Sequence, residues 1–156
     1  MAENWKWMKA ADAISGKEGT LYATIDNRRI PVAECKSFSA KITKNKAEFK
    51  ALGYRGTQHK STGWSGTGTL TLYYATSLFT KMMIDYAKTG IDQYFMLVAT
   101  NEDPTSSIGR QTVTLTDVNL DDVEISKLDT DAQFLDQQIN FTFSDVNIDP
   151  EFKGIS

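Results

Sequence analysis

The chain has 156 residues, enough for one domain with a core and too few for two comfortable ones. Hydrophobic residues at 40%, charged residues at 24% and only three prolines exclude a disordered chain. The net charge of −3 hides a split: residues 1–60 carry 12 Lys and Arg against 6 Asp and Glu, whereas residues 61–156 carry 5 against 14. That asymmetry is either chance on a solvated surface or the mark of one basic and one acidic face, which suits head-to-tail self-association.

Residues 1–16 read as an arm with Trp5, Trp7 and Met8, aromatic enough to dock on the body or on a neighbouring subunit. Residues 15–19 form a turn. Residues 20–26 alternate, with Leu21, Ala23 and Ile25 on one face, and predict a strand. Residues 26–29 turn the chain into a short second strand at 30–33, and Phe38, Ala40 and Ile42 continue the period of two. From 44 to 66 the alternation fades, glycines punctuate the chain and lysines dominate, which predicts a projecting loop or β-hairpin. Leu70 and Leu72 then mark a strand over 66–74.

Residues 77–88 predict the one helix. Ser77 is placed to cap it, Phe79, Met82, Met83, Tyr86 and Ala87 form one apolar stripe, Lys81 and Asp85 are spaced to pair, and Gly90 is placed to end it. The stripe suits packing on a sheet better than lining a ligand pocket. Residues 91–100 read as a buried central strand. Residues 101–107 form a loop, and 110–118 and 120–128 two further strands. A polar connection at 129–136 has Phe134 and Leu135 as anchors. Ile139, Phe141 and Phe143 mark the last strong strand, followed by a tail ordered only by contacts. The total is about eight strands and one helix, a mainly β domain over 1–156 built as a sandwich or barrel with one flanking helix.

Reactive chemistry finds no foothold in these motifs. Cys35 is the only cysteine and His59 the only histidine, which leaves no disulfide and no usual zinc set. Residues 56–61 lack the glycine before Lys60 and the following helix that a phosphate loop needs. The aspartates at 117–131 do not fit a calcium loop and read as a solvated acidic face. The longest apolar run, 94–99, is far too short to span a bilayer, and the first residues have no signal-peptide core, so no membrane partner and a cytoplasmic start are expected. The basic loop, with Tyr54, His59 and Trp64 among Lys and Arg, also suits single-stranded nucleic acid; the acidic balance of the chain argues against it.

Several segments carry a resemblance in their order and spacing across residues 15–145. They include Ser15-Gly16-Lys17-Glu18-Gly19, Lys44-Asn45-Lys46-Ala47-Glu48, His59-Lys60-Ser61-Thr62-Gly63 and Gly66-Thr67-Gly68-Thr69. Further on come Met82-Met83-Ile84-Asp85-Tyr86, Val113-Thr114-Leu115-Thr116-Asp117-Val118-Asn119 and Phe141-Thr142-Phe143. The chain resembles the tail tube proteins of contractile phages and defective prophages, of the PBSX or XkdM type. The resemblance implies a non-enzymatic structural subunit with no cofactor, made in the host cytoplasm and built into a virion tail. It implies hexameric rings whose inner strands join into a barrel, and stacking of those rings into a tube that conducts genomic DNA without specific binding. Sheath, tape-measure and baseplate proteins follow as partners. The related injection-tube ring of secretion systems is the alternative within the same logic. The candidate interface residues are Trp5 and Trp7 on the arm, with Lys44, Lys46, Lys50, Tyr54, Arg55, His59, Lys60 and Trp64 on the basic excursion.

Overall fold

The computed structural model describes residues 7–154. Eight antiparallel strands follow one another as β1 (Gly19–Ile25), β2 (Arg28–Pro31), β3 (Cys35–Phe49), β4 (Gln58–Tyr73), β5 (Phe95–Glu102), β6 (Arg110–Val123), β7 (Asp136–Phe143) and β8 (Asp145–Ile148); α1 (Leu78–Thr89) lies between β4 and β5. The spatial order is β2-β1-β5-β6-β7-β4-β3, with β8 paired to β6.

The sheet folds on itself along β6. Its first half pairs with β5 and β8, and its second half, from Asn119, pairs with β7. Asp117 makes the corner with φ +55°, a left-handed conformation that Asp tolerates better than most residues. Sequence alternation splits this element into two strands because the corner shifts the phase; the structure has one strand with a bend. The tail beyond 144 is likewise a strand, since β8 and the bonds between Thr112, Asp149 and Pro150 extend the edge of β6.

Alternation otherwise translates directly into burial. Leu21, Ala23 and Ile25 of β1, Leu70 and Leu72 of β4, and Ile139, Phe141 and Phe143 of β7 all enter one core. Asp26 and Asn27, with φ +52° and +62°, form the two-residue turn between β1 and β2, the twist that a tight hairpin requires. β5 starts at Phe95 rather than at 91: Ile91 is 74% exposed and precedes the strand.

α1 closes one end of the sandwich through Phe79, whose ring lies 5.9 Å from that of Phe95. Gly90 ends it with φ +74°, its N–H donating to the Tyr86 carbonyl. Ser77 occupies the N-cap but its side chain makes no capping bond; Thr76 Oγ1 accepts from the Leu78 N–H at 3.3 Å instead. No ion pair joins Lys81 and Asp85 among the described residues. Gln137, 1% exposed, donates to Thr80 Oγ1 at 2.8 Å and to the Glu124 carbonyl at 2.7 Å, which ties helix, β7 and the end of β6 together.

Candidate functional site

The basic excursion is a hairpin whose strands run unbroken from the body. β3 spans 15 residues and β4 spans 16, so strand structure continues through most of the 44–66 region, and only residues 50–57 form the tip. Periodicity was silent there because both faces are in solvent, and alternation records burial rather than pairing. Near the body the pattern is asymmetric. Gly66 and Gly68 face Phe143 and Phe141, whose rings fill the space that a Cβ would occupy, and Phe38 stacks on Phe141 at 5.9 Å. Above this point a bulge at Asn45/Lys46 interrupts the register, where Thr62 Oγ1 donates to the Asn45 carbonyl.

The candidate interface residues separate accordingly. Lys44 pairs in register with Trp64, Lys46 with Ser61, Ala47 with Lys60 and Glu48 with His59. Lys50, Tyr54 and Arg55 belong to the tip, beside the fully exposed Leu52 and the exposed Phe49. Trp64 leans toward the body, its ring 6.4 Å from that of Phe143, so Tyr54 and Trp64 belong to different parts of the hairpin rather than to one stacking platform. Trp5 lies outside the described residues. Trp7 is 72% exposed, on a segment anchored elsewhere: Asp12 Oδ1 accepts from the Ser107 N–H at 3.0 Å and Oγ–H at 2.7 Å, and Asp103 accepts from the Ser15 N–H. The Ser15 N–H, with the Thr105 N–H as second donor, holds the Asp103 carboxyl below the usual range.

Two surfaces stand out that the residue pattern did not mark as sites. The first is the outward face of β3, β4 and β7, where Ser39, Thr67, Thr69, Asn140 and Thr142 form a hydroxyl and amide surface. Thr69 donates to Asn140, whose amide donates to both oxygens of Asp122. The second is the pair of sheet margins. Among the described residues β3 has a strand on one side only, and so does the second half of β6. β3 carries Lys36, Lys41, Lys44 and Lys46, all exposed; β6 carries Asp121 and Asp122 at a bulge, and burial together with Asp122 pushes the Asp121 carboxyl upward. Adjacent aspartates in an alternating strand were the available signal, because one of them must leave the pleat.

Among the described residues no group of three or more His, Cys, Asp or Glu is placed to hold a metal, and no helix is long and apolar enough to cross a membrane. Cys35 is half-buried and burial raises its thiol pKa. A family model described as "Phage tail tube protein" matches residues 6–149. The phage-like element PBSX protein XkdM of Bacillus subtilis (strain 168) is 45% identical over 141 residues, covering 90% of this chain and 93% of that protein. The uncharacterized protein YqbM of the same strain is 44% identical over 147 residues, covering 94% and 97%. A chain in the six-fold symmetrised anti-feeding prophage baseplate has the same fold, with a TM-score of 0.66 at 14% identity over 87% of this chain and 94% of that one. The chain belongs to the phage tail tube protein family.

Proposed function

We propose that this tail tube subunit joins edge to edge into six-membered rings, and that the β3–β4 hairpin links each ring to the next. The observation that carries the reading is the open sheet. Among the described residues the β6(second half)-β7-β4-β3 layer ends in an unpaired strand on both sides, and a 15-residue, largely exposed edge is a template for another strand. Head-to-tail joining satisfies both margins at once and closes into a ring where the rotation permits. Six copies of a four-stranded layer make a barrel of about 24 strands. At about 4.8 Å per strand and a tilt of about 40°, its backbone diameter is roughly 48 Å. That leaves a bore wider than a DNA duplex.

The hydroxyl and amide face suits the inner wall of such a barrel, because a conduit for DNA should offer few cationic phosphate contacts. The hairpin tip combines apolar Phe49, Leu52 and Tyr54 with basic Lys50 and Arg55, and this mixture favours a protein partner in the adjacent ring. Sheath, tape-measure and baseplate proteins are the further partners of this reading. Replacing residues 46–61 by a two-residue turn tests it. The expected product is a folded protein, alone or in single rings, that no longer forms tubes in negative-stain images; normal tubes from that variant refute the role of the hairpin.

A further inference from the structure

The two margins of the layer differ in charge and in shape, and the differences match. Lys41 lies on the polar face of β3, in register with Thr67. Asp122 lies on the same face of the sheet at the other margin, since Asn140, which bonds it, also accepts from Thr69. Neither Lys41 nor the Asp121–Asp122 pair has an ion-pair partner within the chain among the described residues. On the opposite face of β3, Ile42 is 51% exposed at the bare edge. The matching side of β6 has a groove of about 270 Å³ between the strand and α1, with Met82, Met83, Tyr86 and Leu120 as its apolar lining and polar groups that include Asp92 and Asp121 at its rim.

Resting on the ring reading above, we propose that β3 of one copy docks along the second half of β6 in the next. Lys41 reaches Asp122 on the polar face and Asp121 at the bulge on the margin, and Ile42 enters the groove beneath α1 on the other face. The occupant is a second copy of this chain because its β3 offers a lysine and an aliphatic side chain on alternate faces of an open edge, complementary in charge and shape to the β6 margin. The charge also dictates the direction of joining. Two lysine-bearing β3 edges repel, as do two β6 edges, so the isologous pairs that would stop ring growth are disfavoured and the head-to-tail pair is selected. The lysines protect the lone subunit from indiscriminate edge pairing and become ion-pair partners in the ring.

Charge reversal tests the seam in the full chain. Lys41→Glu and Asp121→Lys/Asp122→Lys are each expected to keep the fold by circular dichroism and to reduce ring formation at least tenfold by sedimentation and negative stain. A mixture of the two variants restores assembly, because each reversed edge then meets its complement. A second measurement is independent of charge. In a Cys35→Ala background, Ile42→Cys with Met83→Cys gives an oxidation-dependent ladder from dimer to hexamer on a non-reducing gel. Reversal variants that assemble like the parent, a mixture that does not recover, or a cysteine pair that yields only monomer overturn the seam while the parent still makes rings. A parent chain that makes no rings when seeded with a tail end removes the ring reading itself.

Discussion

The ring of Phe141 lies across the backbone of Gly68, so that a Cβ at Gly68 would stand 2.3 Å from the Phe141 ring and 2.7 Å from the Ser39 carbonyl oxygen. The two residues are register partners on β7 and β4, and the absent side chain lets Phe141 reach Phe38 on β3. Three strands are joined by one ring over one glycine.

Gly68→Ala is therefore expected to destabilise the fold by about 1–3 kcal/mol, the usual cost of forcing extra volume into a filled core. Gly66→Ala costs less, because its nearest obstacles are Phe143 ring atoms, which yield more readily than the Ser39 backbone. Urea unfolding midpoints of the two variants give the order.

Gln137→Ala removes both bonds that join β7 to Thr80 and to the Glu124 carbonyl, leaving part-buried groups without their partner. The expected loss is about 1–3 kcal/mol. Hydrogen exchange should rise first at the start of α1 and at the end of β6, where those partners lie.

Asp136 accepts from Lys127 at 3.0 Å and from Lys36 at 3.2 Å; the two lysines, Lys127 foremost, hold its carboxyl below the ordinary carboxylate range, and Asp136 in turn pushes the Lys127 ammonium upward. The depressed acid contributes stability above its unfolded pKa of about 3.9, which is lost as pH falls through the lower folded value. The raised lysine contributes below about 10.5, and that part is lost as pH rises through the higher folded value. Urea midpoints of the parent and of Asp136→Asn should differ by a constant amount from about pH 5 to 9 and converge at both extremes.

Leu52→Ser changes a side chain in full contact with solvent, so the unfolding midpoint should move by less than about 0.5 kcal/mol. Tube length and the concentration needed for polymerisation should nevertheless change, the former falling and the latter rising, because the residue is apolar at the hairpin tip. Unaltered polymerisation would separate the tip from ring stacking.

Elements with one wet and one dry face were legible from residues alone. β1 and β7 show it in their buried alternate positions, and α1 in the burial of Phe79 and partial burial of Met82 and Met83. Where burial was symmetric or the phase broke, pattern reading failed. The hairpin strands beyond Ile42 are wet on both faces, and β6 changes phase at Asp117. The candidate interface lysines were chosen by charge alone, whereas Asp121 and Asp122 read in sequence as part of a solvated acidic face, and only the structure places them at a bulge on the margin of β6.

Residue order and chemistry were sufficient for the fold class, the α-helix, the family and the opposition of a basic first part to an acidic second part, because each is written in local periodicity, composition or motif order. Which strands are left at the margins, and that Lys41 and Asp122 share a face at opposite ends of one layer, came only from the folded chain. Strand order is a matter of long-range pairing, and the residues of an edge strand look the same in sequence whether a neighbour covers them or not.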